Sequence, residues 1–91
     1  MNLEVMTREQ MVYSGEADSV VLPAWQGEMG VLADHADYVV ALARGLLRFR
    51  AAGTSHTLAI AGGFAEVSRN KVIVLPDEIS EAPAGADQLA P

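Results

Sequence analysis

Apolar residues in this chain recur at every second position, in short runs broken by glycine, proline or polar turn residues. That period confines the backbone to strands, because successive strand side chains point to opposite faces. Leu3, Val5 and Thr7 alternate with Asn2, Glu4 and Met6; Met11 to Ser14 forms a second run, ending at Gly15-Glu16. Val20 and Leu22 share a face with Asp18, and Pro23, lacking a ladder donor, is expected to close that strand. Gly27 and Gly30 punctuate the next turn. Tyr38 to Ala43 is compatible with a helical turn or two, but its paired valines, its shortness and Gly45 favour a strand.

Leu47 and Phe49 then alternate with Leu46, Arg48 and Arg50, and after a turn at Ala52-Gly53-Thr54, His56, Leu58 and Ile60 share a face. Gly62-Gly63 permits positive φ and reads as a tight hairpin reversal. Phe64 to Ser68, a turn at Arg69-Asn70, and Lys71 to Leu75 complete the series before Pro76. The expected fold is all-β: an antiparallel sandwich or flattened barrel of about eight to ten short strands. From Pro76 onward the apolar period is lost. Residues 1–76 are therefore read as the folded domain, and 77–91 as an acidic, Pro/Ala-rich, disordered C-terminal tail.

Composition agrees with a sheet core. Hydrophobic residues make up 51% of the chain but aromatics only 5%, so the interior is built from Val, Leu, Ala and Ile. There is no cysteine, which excludes disulfides and thiolate metal sites. No stretch approaches the ~20 apolar residues of a membrane-spanning helix. The formal charge of −6 is uneven: residues 77–91 carry Asp77, Glu78, Glu81 and Asp87 without a base, while the rest holds eight acids and six bases. An acidic chain argues against nucleic acid and against electrostatic docking on anionic lipid. No serine stands in a nucleophile-elbow context and the two histidines are far apart, so no catalytic, cofactor or metal constellation is read.

Several motifs, in order, resemble the epsilon subunit of F-type ATP synthases: Glu16-Ala-Asp-Ser-Val-Val-Leu-Pro23, Gly27-Glu28-Met29-Gly30-Val31-Leu32, His35-Ala36, Gly45-Leu-Leu-Arg48, Ile60-Ala-Gly-Gly63-Phe-Ala-Glu-Val67 and Lys71-Val-Ile-Val-Leu75. The resemblance covers residues 3 to 76 and implies a β-sandwich of about ten short strands. It implies a non-catalytic central-stalk rotor subunit, peripheral on the cytoplasmic face of a bacterial inner membrane. Such a subunit couples the gamma subunit to the membrane c-ring during ion-driven ATP synthesis. Its partners are then gamma and the c-ring, its membrane contact runs only through the complex, and no cofactor is called for. Family members usually add a C-terminal pair of helices, which the proline- and glycine-broken tail is not expected to supply. A free-standing sandwich that binds a peptide or small ligand is the alternative.

The resemblance also assigns surfaces. Gly27, Glu28, Met29, Gly30 and His35 match the region that meets the c-ring, and Thr7, Arg8, Tyr38, Val39 and Val40 match a region facing gamma. Glu28, a carboxylate between glycines, is sterically open and can accept hydrogen bonds from a partner; a solvated turn acid is the plainer reading. His35, between Asp34 and Asp37, either orders its loop or touches a partner, and contiguous residues seldom converge on one metal ion. Here the family's usual Pro-Gly-His-Ala-Pro is replaced by Ala33-Asp34-His35-Ala36-Asp37. Tyr38 either anchors an interface or finishes the core. Trp25 is either folded back on the sandwich or kept for a partner. Arg44, Arg48 and Arg50 form a modest basic patch expected to pair with acids.

Overall fold

The computed structural model describes residues 1–31 and 37–81. Among these, ten strands follow one another: β1 (Asn2–Met6), β2 (Met11–Glu16), β3 (Ser19–Ala24), β4 (Gly27–Val31), β5 (Tyr38–Ala41), β6 (Gly45–Ala51), β7 (Thr54–Ala61), β8 (Phe64–Ser68), β9 (Lys71–Leu75) and β10 (Glu78–Glu81). They form two five-stranded sheets. Sheet A has the order β2-β1-β9-β8-β5, and sheet B the order β10-β7-β6-β3-β4. Every pairing is antiparallel except β1 with β9, which is parallel from Asn2↔Lys71 to Val5↔Val74. The antiparallel-rich sandwich expected from the sequence is thus present, with one parallel ladder that the pattern does not announce: period 2 fixes which face a residue takes, not the direction of its neighbour.

The core lies between the sheets. Leu3, Val5, Ala65, Val67, Val72 and Val74 point inward from sheet A and meet Val20, Leu22, Leu47, Phe49 and Ile60 from sheet B. Alternation is clean in β8 and β9, whose odd members are exposed or half-buried. Among the described residues no charged or polar side chain is buried. Aromatics do their packing at one side: Tyr13 of β2 lies 4.6 Å from Phe49, which stacks on His56 at 4.9 Å and 15°. His56 is therefore a half-buried sheet residue, as its apolar-period strand suggests.

Among the ten strands five connections cross between the sheets, and three of them, β5 to β6, β7 to β8 and β9 to β10, meet at Gly62-Gly63. The Leu42 N–H donates to the Gly63 carbonyl at 2.9 Å, and the Asp77 N–H to the Gly62 carbonyl at 3.4 Å. Both glycines take positive φ, 70° and 88°, as expected. They do not make a hairpin, however, since β7 and β8 lie in different sheets. A Cβ on Gly63 would stand 2.1 Å from the Leu75 carbonyl oxygen, so only glycine admits this crossing. The hairpin geometry belongs instead to Ala52-Gly53, where φ of 52° and 79° between the paired Ala51 and Thr54 makes a two-residue primed turn.

Two boundaries differ from the sequence reading. Strand β3 runs through Pro23 to Ala24, because its ladder with β6 ends at Val21 and the missing donor leaves no bond unmade there. At the other end, four residues read as tail, Glu78–Glu81, form β10 against β7, with half-buried Ile79 opposite Ile60. A four-residue edge strand offers a single inward apolar residue, too little to register as a period. Residues 82–91, the remainder of the expected tail, lie outside the described residues.

Candidate functional site

The β3–β4 hairpin carries the first set of assigned residues. Ala24 pairs with Gly27, leaving Trp25-Gln26 as the turn, and Glu28 stands opposite Pro23 on β4. Gly27 and Gly30 are thus strand residues rather than turn punctuation; only Gly27 needs its glycine, at φ 119°. The hairpin is held from below by two bonds, Trp25 N–H to the Ala41 carbonyl at 3.3 Å and Ala43 N–H to the Pro23 carbonyl at 2.8 Å. Those bonds tie the tip to the β5–β6 crossing and hence to both sheets.

Glu28 does not stand alone. Arg48, on β6, reaches over β3 and donates from Nη2 to a Glu28 carboxylate oxygen, forming an ion pair. The arginine side chain is 17% exposed and the glutamate 61% exposed, so the pair has one fixed end and one presented end. At such exposure the pair contributes at most about 1 kcal/mol to stability. Arg50 goes elsewhere, donating to Ser55 Oγ at 3.1 Å and to the Gly53 carbonyl at 3.3 Å. Arg48 and Arg50 of the basic patch therefore turn to different partners, an acid for the first and uncharged oxygens for the second. Met29 is half-buried against the core, while Gly30 opens onto empty space. Trp25 is 76% exposed at the hairpin tip and is not folded back on the sandwich. His35 lies outside the described residues.

The second set lies on sheet A. The Thr7 hydroxyl accepts from the Glu9 and Gln10 N–H groups at 3.3 and 3.4 Å, which shapes the β1–β2 turn and leaves Arg8 exposed at its tip. On β5 the alternation separates three consecutive residues. Val39 points outward, 66% exposed, whereas Val40 is 8% exposed in the core and offers no side chain to a partner. Tyr38 is half-buried and packs against the core, and loss of water around its phenol raises the pKa above the ordinary value of 10.0.

Between Thr7 and Val39 the structure adds residues that the sequence reading passed over. Phe64 and Leu75, 58% and 37% exposed, pair with each other across β8 and β9, and Phe64 pairs onward with Ala41. Met6 lies one step beyond the Val5↔Val74 pair and is matched with Met11, which is 50% exposed. An apolar band thus crosses the outer face of sheet A from β2 to β5. The next row is Glu4, Ile73, Glu66 and Val39, so carboxylates border the band. The signal was present: Ala65, Val67, Val72 and Val74 fill the inward positions, which forces Phe64 and Leu75 outward.

Among the described residues no group of His, Asp or Glu could hold a metal ion, and no helix is long and apolar enough to cross a membrane. Residues 1–82 match the family model for the ATP synthase delta/epsilon chain, beta-sandwich domain. The ATP synthase epsilon chain of Nitratidesulfovibrio vulgaris strain DP4 is 43% identical over 82 residues, covering 90% of this chain and 61% of that protein. The chloroplastic ATP synthase epsilon chain of Thalassiosira pseudonana is 40% identical over 81 residues, covering 89% and 61%. The chain spans about three fifths of the length of these relatives. Among solved structures, a chain of the Euglena gracilis mitochondrial ATP synthase OSCP/F1/c-ring assembly superposes with a TM-score of 0.79 at 28% identity, over 87% of this chain and 51% of that one. A chain of the Tetrahymena thermophila mitochondrial ATP synthase central stalk and c-ring shares the fold, with a TM-score of 0.74 at 13% identity, over 98% and 72%. On the family match and the curated relatives together, the chain belongs to the delta/epsilon chain beta-sandwich family of ATP synthases.

Proposed function

We propose that this chain is the central-stalk epsilon subunit of an F-type ATP synthase, a non-catalytic adaptor that joins the gamma subunit to the membrane c-ring. The observation that carries the reading is the presence of two unlike surfaces on different sheets of one rigid body. The apolar band of Met11, Met6, Leu75 and Phe64 on sheet A suits a large, permanent contact with an apolar partner face. Its flanking Glu4 and Glu66 suit a basic rim on that partner. The glycine-flanked hairpin bearing Glu28 on sheet B suits a small polar contact instead. We assign the first to gamma and the second to the ring.

In this role the sandwich acts as a wedge. Torque loads the strands in shear, and the load spreads over many ladder hydrogen bonds, each worth a net ~0.5–1.5 kcal/mol. The crossings gathered at Gly62-Gly63 keep the two sheets from sliding past each other. In this role the chain sits at the foot of the stalk of a membrane-associated complex, at the cytoplasmic membrane face in a bacterial host.

The test is association with a cognate gamma subunit on a sizing column. The chain is expected to co-elute with gamma, and Phe64→Ser combined with Leu75→Ser is expected to weaken binding at least tenfold. Because both side chains are substantially exposed, the double variant should retain its melting behaviour. Failure of the wild-type chain to bind folded gamma would overturn the reading and favour a free-standing binding module.

A further inference from the structure

The Glu28–Arg48 pair joins strands that are not neighbours. In the order β6-β3-β4, Arg48 stands opposite Val21 and Glu28 opposite Pro23, so the arginine spans the whole of β3 to reach the carboxylate. Strand β4 has little else to fix that carboxylate. It is a five-residue edge strand with glycine at positions 27 and 30, and open space lies beside both. A glutamate in that setting would sample several rotamers. The 17% exposure of Arg48 makes it the anchored member, and 61% exposure leaves Glu28 available to something else.

We infer that Arg48 is the positioning residue of the Glu28 contact: it pre-orders the carboxylate on the sheet B face so that a partner meets it already fixed. The inference rests on Glu28 touching the ring, as proposed above. Ordering one rotamer-rich side chain on binding costs enough to change affinity about two- to tenfold, and the ion pair removes that cost beforehand. The pair also cancels the charge of Glu28, and Arg44 stands on the wall of the same open cleft of ≈ 390 Å³. Recognition there depends on hydrogen-bond geometry more than on bare negative charge, so salt should weaken it little.

The experiment uses the full chain with cognate gamma and detergent-solubilised c-ring, measuring affinity of the chain–gamma complex for the ring at low and high salt. Thermal unfolding of each variant checks folding. Glu28→Gln and Arg48→Met should each weaken ring binding about two- to tenfold, and Arg48→Lys should recover part of the loss. The double variant Glu28→Gln/Arg48→Met should bind no worse than Glu28→Gln alone. Arg48→Met should also make binding more sensitive to salt, a change that general loosening of the fold would not produce. If Glu28→Gln weakens binding while Arg48→Met does not, or if the two losses add, Arg48 has no positioning role and the ring assignment stands. If Glu28→Gln has no effect, the ring assignment of Glu28 fails, and this inference with it.

Discussion

Alanine at Gly63 and at Gly53 should cost very different amounts, although the two glycines have nearly the same φ, 88° and 79°. Left-handed backbone disfavours a Cβ by about 1–2 kcal/mol, and replacing glycine recovers about 0.4–1 kcal/mol by restricting the unfolded chain. At Gly53 nothing lies within 4 Å of the added carbon, so those two effects are all that operate. The net loss there should be about 0.5–1 kcal/mol.

At Gly63 the new carbon would sit 2.1 Å from the Leu75 carbonyl oxygen and 2.8 Å from the Pro76 Cα, both backbone atoms that cannot rotate away. Relief requires the β7–β8 crossing to move by about an ångström. That movement loosens the Leu42-to-Gly63 and Asp77-to-Gly62 bonds, worth about 1–3 kcal/mol together. The expected loss is then about 1.5–4 kcal/mol, a large part of the ~5–10 kcal/mol that a domain this small possesses. Urea unfolding followed by far-UV circular dichroism is the assay, because Trp25 is already 76% exposed and reports little. With a slope near 1 kcal/mol/M the midpoint should fall by about 1.5–4 M for Gly63→Ala and by less than about 1 M for Gly53→Ala. Losses equal within ~0.5 kcal/mol would refute the claim that the three crossings lean on Gly63.

Ala52, a non-glycine residue at φ 52°, sits at the first centre of the β6–β7 turn. Ala52→Asn should therefore raise stability by ~0.5–1 kcal/mol, seen as a melting temperature several degrees higher; an unchanged or lower value would contradict that turn geometry. Tyr38 supplies an alkaline limit. Its raised folded-state pKa means that above pH 10.0 the unfolded chain loses a proton that the folded chain retains, so stability falls as pH climbs from there toward the folded pKa. Tyr38→Phe should flatten that decline in a pH series of urea midpoints, and an identical slope in both proteins would remove desolvation as its cause.

Most of the fold was legible because period 2 is a local property. Leu3, Val5, Leu47, Phe49, Val72 and Val74 announce their faces through their immediate neighbours, and all are buried. Sheet membership is a long-range property, and there the sequence was mute: nothing local separates a hairpin at Gly62-Gly63 from a crossing, or reveals that β1 runs parallel to β9. Glu28 was visible through its glycines, but its partner Arg48 lies 20 residues away across an intervening strand. Val40 shows the opposite failure. A motif carried over as a block assigns consecutive residues to one interface, whereas a strand must turn every second one into the core.

The parallel β1–β9 ladder has a consequence for biogenesis. Residues 2 to 5 leave the ribosome well before residues 71 to 74, in which one flank of that strand finds its hydrogen bonds. The nascent β1–β2 hairpin consequently waits with a naked border until β9 has been made, so sheet A closes late. Such closure, dominated by distant pairings, belongs to the millisecond-to-second class of folding reactions. A chaperone that shields the early hairpin should raise the yield of soluble subunit more than one that acts on the finished chain.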